Sequence, residues 1–181
     1  MIAAEVVVGV MFRRVILFLL IVIGGAVLAA LAAESATRDA IVPVTGYKPG
    51  TIVVKTNERR LYFVMERGRA MRFTVGVGKS GQTWTGNAKI EGKYVKPSWS
   101  PPDDIKREHP SLPDVIPGGD DDNPMGDAAL TMRGGEYAIH GTNAPGTIGG
   151  FVSHGCIRMY NEDIMDLYGR VGVGTRVVVT R

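Results

Sequence analysis

The chain has 181 residues, 45% of them hydrophobic, with 21 Lys+Arg against 18 Asp+Glu and a formal net charge of +3. So small and dispersed a surplus gives no grounds for a nucleic-acid partner, and a single cysteine rules out an internal disulfide. A weakly cationic surface would suit an anionic polymer such as cell wall, though an ordinary solvated face accounts for it equally well.

Near the N-terminus, Arg13 and Arg14 precede an apolar run, residues 15–33, that meets no charge until Glu34. A basic lead, an apolar stretch and a small-residue exit at Ala30-Leu31-Ala32 describe a secretory signal. The run also approaches the ~20 residues that can span a bilayer. Residues 1–33 are therefore expected to be a signal peptide or an uncleaved membrane anchor, with the remainder exported; residues before Met11 read as an upstream start. No cysteine follows the run, so no lipoprotein-type acyl anchor is expected. Residues 34–50 carry Pro43, Gly46, Pro49 and Gly50 without a period and read as a linker.

From Thr51 the pattern turns strand-like, at 51–57, 59–65 and 69–78, with turn signals at Asn57-Glu58 and Arg67-Gly68. Further strands are expected at 87–95, 128–132, 137–140 and 176–179. Residues 96–126, rich in Pro, Gly and Asp, read as a long loop with one helical turn near Ile105 to Glu108; loops of that length usually serve function, as a lid or substrate wall. One good helix follows the cysteine. Asn161 is placed to cap it, Glu162 and Asp163 suit its positive end, and Ile164, Met165, Leu167 and Tyr168 supply an apolar face before Gly169 and Arg170.

Three look-alike motifs carry little. The stretch GVGKSG at 76–81 fits a dinucleotide-binding glycine pattern, but no helix opens after it. A phosphate-binding loop would need glycine where Phe73 stands. The acidic run at 118–124 lacks the spacing of a calcium loop and reads as a solvated turn.

The lone thiol, Cys156, lies in the sequence FVSHGCIRM at 151–159. A thiol attacks a carbonyl well only as thiolate, so a catalytic cysteine needs a nearby base or cation. His154 and Arg158 each lie two residues away, on the same side of an extended segment. His140 lies sixteen residues earlier at the end of an expected strand, joined by a glycine-rich return. Both histidines are candidate bases. Gly155 allows close backbone approach and leaves neighbouring amides to face a developing oxyanion. An exported, unpaired thiol flanked by His and Arg favours nucleophilic catalysis. Two rivals stand: a zinc site from His140, His154, Cys156 and His109, as in a zinc-dependent hydrolase, and a non-catalytic binding module.

Residues 139–179, with a histidine on a strand, a spacer and then Ser-His-Gly-Cys-Ile-Arg-Met, closely resemble the C-terminal half of L,D-transpeptidase catalytic domains of the YkuD type. Residues 52–86 resemble the family's opening strands, and PSWSPPDDIKREHP with NPMG resembles a subgroup with a long insertion. One departure is visible: the family commonly reads Thr-Pro-Thr-Gly where this chain has Thr83-Trp84-Thr85-Gly86.

The resemblance implies a mainly β fold, a sandwich of mixed sheets with one short helix after the cysteine, over a catalytic domain at 51–181. It implies Cys156 as nucleophile, His140 as general base, the Gly141 carbonyl orienting that histidine, and His154 in support. Gly155 and Cys156 amides would be oxyanion donors, and Ser153 and Arg158 would contact substrate. No metal or other cofactor is implied. The substrates would be peptidoglycan stem peptides, cleaved before a terminal D-Ala and passed to an amine. That amine would form a 3-3 cross-link or belong to an outer-membrane lipoprotein. The location would be the periplasm or cell wall, with membrane contact only through residues 1–33 if these are uncleaved.

Overall fold

In the computed structural model the chain divides into two units, Met1–Thr37 and Arg38–Arg181; the structure describes residues 40–181. The expected signal or anchor segment thus lies outside the described residues. Twelve strands among the described residues make three sheets. The first sheet contains β1 (Ala40–Pro43), β2 (Ile52–Lys55), β3 (Arg60–Val64), β4 (Arg69–Thr74), β6 (Gly86–Lys89) and β12 (Arg176–Thr180), in the order β1-β4-β3-β2-β12-β6. The second pairs β5 (Val77–Gly78) with β10 (Phe151–Ser153), and the third runs β11 (Ile157–Arg158), β9 (Tyr137–His140), β8 (Ala128–Met132), β7 (Gly92–Val95).

The sheets are mixed: β12 runs parallel to β2 and antiparallel to β6. Its Val177 and Val179 are buried, as are Ile52, Val53 and Val54 of β2, the continuous apolar run expected of a central strand. One core joins the layers: Ile52, Val54, Leu61 and Phe73 from the first sheet, Leu130, Met132 and Ile139 from the third, and Ile164 and Leu167 from a helix. That helix, α2 (Asn161–Arg170), packs on β8 and β9.

Several expectations change. The linker read at 34–50 contributes an edge strand from Ala40, because Ala40–Pro43 pairs antiparallel with β4; an edge tolerates Pro43. Asn161 does not cap α2: Tyr160 occupies the N-cap and no side chain caps it. Met165 is 41% exposed, since Ile164, Leu167 and Tyr168 follow the 3–4 spacing of one helical face and Met165 falls outside it. The last carbonyls of α2 are satisfied from β7: Lys93 Nζ donates to Tyr168 O at 2.8 Å and Val171 O at 2.6 Å, meeting groups that have no intrahelical partner.

The long insertion is anchored at its base. The buried Asn123 donates from Nδ2 to the carbonyls of Pro97 and Pro117 and accepts at Oδ1 from Met125 N. Trp99 and Ile116 exchange two backbone hydrogen bonds. Within it the expected helical turn is a short helix, α1 (Asp103–Glu108), and the acidic run folds as a local turn in which Asp122 N donates to Asp120 Oδ1.

Candidate active site

The site begins with one strand register. β11 pairs parallel with β9, Ile157 opposite Ile139 and Arg158 opposite His140. Side chains alternate along a strand, so Arg158 and His140 stand side by side, and Cys156, two residues before Arg158, projects to that same face. Met159 N donates to His140 O at 2.8 Å and extends the ladder. All three side chains line a cavity of about 380 Å³. Trp99, Ile105, Pro124 and Met125 of the insertion form one wall, and Glu136, Tyr137 and His154 close the others.

The electrostatics favour neutral partners. Burial first, and the Arg158 guanidinium second, push the His140 imidazole down to about 4, against an opposing pull from the carbonyls of Gly141 and Pro124. Nδ1 of His140 is buried without a well-formed hydrogen bond, so these carbonyls act across a longer gap. Burial pushes the Cys156 thiol up, opposed by the Ala138 amide and by Arg158. Cys156 and His140 therefore meet as thiol and neutral imidazole. This predicts a stability window. The unfolded chain takes a proton on His140 near 6.5 and the folded chain only near 4, so between those values acid favours unfolding. His140 should contribute a loss of roughly 3 kcal/mol as pH falls from 6.5 to 4, so His140→Gln should lose about that much less than wild type over the same range in urea titrations.

The turn carrying the cysteine is held by Ser153. Its Oγ donates to Cys156 O at 2.6 Å and accepts from Gly155 N at 3.1 Å. Ser153 borders the cavity and is 2% exposed, with its hydroxyl engaged inside the turn, and the Gly155 amide donates to that hydroxyl. His154 points toward the insertion, where its Nε2 lies 3.2 Å from a Glu108 carboxylate oxygen. His109 lines a neighbouring recess with Lys79 and Arg158. Among the described residues no group of three or more His, Cys, Asp or Glu is arranged to hold a metal ion.

Asn161 was legible only as a helix cap, yet its side chain is a clamp. Oδ1 accepts from Asp127 N at 3.2 Å and Thr142 N at 3.0 Å, and Nδ2 donates to Thr142 O at 3.1 Å. The approach needs Gly141, where a Cβ would fall 2.2 Å from that oxygen. The amide thus fixes the chain just after His140. Asn161→Ala strands two backbone amides and should cost about 1–3 kcal/mol, read as a lower denaturation midpoint, while Asn161→Asp, which keeps the acceptor, should cost less.

The sequence profile of the L,D-transpeptidase catalytic domain, YkuD, matches residues 49–179. The Escherichia coli K12 protein named "Probable L,D-transpeptidase YbiS" is 43% identical over 135 residues, 70% of this chain and 43% of its own length. A Fuscovulum blasticum protein also named as an L,D-transpeptidase is 37% identical over 130 residues, 71% of this chain and 68% of its own. The chain spans less than half the length of YbiS. An L,D-transpeptidase structure from Mycobacterium smegmatis superposes with a TM-score of 0.58 at 19% identity, over 72% of this chain and 58% of that one, and so shares the fold. With residues 49–179 matched to the profile and these relatives at 37–43% identity, the chain belongs to the L,D-transpeptidase catalytic domain family.

Proposed function

We propose that this chain is a cysteine-dependent peptidoglycan L,D-transpeptidase acting outside the cytoplasm, in the periplasm or cell wall. The observation that carries the reading is the β9–β11 register, which sets the only thiol and a buried neutral histidine on one face of a cavity, with a guanidinium beside them. His140 takes the thiol proton as Cys156 Sγ attacks the carbonyl of the diamino acid in the third stem position. The carbonyl π electrons move to oxygen, and the Cys156 amide donates to that oxyanion. Collapse breaks the peptide bond, and His140 returns the proton to the leaving D-Ala amine. An incoming amine then attacks the thioester, loses its proton to His140, and releases the thiol. Arg158 holds a substrate carboxylate, for which a planar guanidinium is suited. The acceptor amine belongs to a second stem, giving a 3-3 cross-link, or to a lipoprotein.

Intact-mass spectrometry of the exported part with a stem tetrapeptide tests this. The expected result is an acyl adduct that maps to Cys156 with one D-Ala released, and none for Cys156→Ala. Release of D-Ala at the wild-type rate by Cys156→Ala would sink the reading.

A further inference from the structure

Residue 84, where this chain carries tryptophan in place of the family's common proline, touches the nucleophile turn. Trp84 Nε1 donates to Gly155 O at 3.2 Å. That carbonyl and the Cys156 N–H belong to one peptide unit, which is planar and trans, so fixing the oxygen fixes the direction of the N–H. The bond also draws electron density from the amide and strengthens the N–H as a donor.

The indole is itself held. It stacks on Tyr137 with ring centroids 5.0 Å apart and an interplanar angle of 29°, and the Arg133 guanidinium lies over both rings, 5.5 Å from Trp84 and 5.8 Å from Tyr137. Tyr137 opens β9, the strand that ends in His140. Its ring fills the space against Gly155 where a Cβ would fall 2.5 Å from Cε1. Three successive peptide units around the thiol are therefore pinned. Ser153 Oγ accepts from Gly155 N and donates to Cys156 O on either side, and Trp84 holds the unit between them. None of these three contacts uses the Cys156 N–H, which in a trans peptide points opposite to the Gly155 carbonyl that Trp84 holds.

We infer that Trp84 is a positioning residue for the oxyanion donor: through the Gly155 carbonyl it sets and polarises the Cys156 amide that receives the developing negative charge. This rests on the reading of Cys156 as the acyl nucleophile. Its effect belongs to the step that builds an oxyanion and not to the reactivity of the thiol, and the two can be measured apart.

The test is Trp84→Phe, which keeps an aromatic ring for the Tyr137 stack and removes the donor together with part of the indole. Acylation by the stem tetrapeptide should fall about tenfold in kcat with little change in KM, a fraction of what loss of an oxyanion donor costs. Alkylation of Cys156 by iodoacetamide, a displacement that forms no oxyanion, should stay within about twofold of wild type. Trp84→His, which keeps a ring N–H, should retain more acylation than Trp84→Phe and serves as the comparison should the Phe variant melt early. Unchanged acylation in Trp84→Phe, or an equal fall in acylation and alkylation, would overturn the assignment. A wild-type enzyme that alkylates at Cys156 but forms no acyl adduct would instead remove the nucleophile reading on which it rests.

Discussion

His140→Ala should lower the rate of Cys156 acylation by about 10²–10⁴-fold, and His154→Ala should lower it much less. The difference follows from where each ring stands. His140 is 4% exposed and lies opposite Arg158 on the strand beside Cys156. With its imidazole pushed down to about 4 and the thiol pushed up, no thiolate–imidazolium pair waits in the free enzyme. On the proposed mechanism the proton moves during attack, and a neutral base at that point is what acylation needs. His154 reaches outward to Glu108 at 3.2 Å, so its loss loosens the insertion wall and leaves the proton path intact. Stopped-flow acylation of the two variants decides the matter; a larger loss in His154→Ala would transfer the base to that residue.

Gly155→Ala should be strongly damaging although it adds a single methyl group. Gly155 has φ +118°, which L side chains rarely adopt, and an added Cβ would lie 2.5 Å from Tyr137 Cε1 and 3.2 Å from Gln82 O. Strain at such a dihedral costs about 1–3 kcal/mol and overpacking a further ~1–3 kcal/mol, so the denaturation midpoint should drop by an amount matching roughly 2–6 kcal/mol. Combining it with Tyr137→Ala removes the collision but not the dihedral penalty. The double variant should therefore recover part of the loss caused by Gly155→Ala, relative to Tyr137→Ala alone. Full recovery would show that the dihedral carries no cost here.

The strands with clear apolar alternation or β-branched runs, such as Ile52–Lys55 and Arg176–Thr180, could be read from the chain directly. The strands that build the site could not. Phe151–Ser153 and Ile157–Arg158 are three and two residues long and flank a Ser-His-Gly-Cys turn with no strand propensity; their pairing with distant partners, not their composition, makes them strands. Cys156 stood out through its chemistry and its scarcity. Only the family resemblance points to His140 over His154, because period-two spacing alone favours the nearer ring. Asn161 looked like a cap since it precedes an acidic, apolar-faced segment, and only the packed structure shows its amide turned toward Gly141 and Gly126. Gly155 and Ser153 each had the right residue type for the turn, but which amide is engaged depends on hydroxyl geometry that spacing does not encode. Trp84 was visible as a departure without a role, since its partner lies 71 residues away.

The placement of β12 has a bearing on how the molecule comes into being. β2 and β6 are not neighbours; each meets β12, which lies between them. A chain that emerges amino end first, from a ribosome or a translocation pore, holds these two edges open until residues 176–180 have followed. Because non-local pairing must wait for its partner, closure of the sheet comes late, after the cysteine turn and α2 have already emerged. The protein's interior is thus sealed by β12, and a chain arrested before Arg176 would leave β2 and β6 without the strand that joins them, as unpaired edges of the kind that recruit other strands.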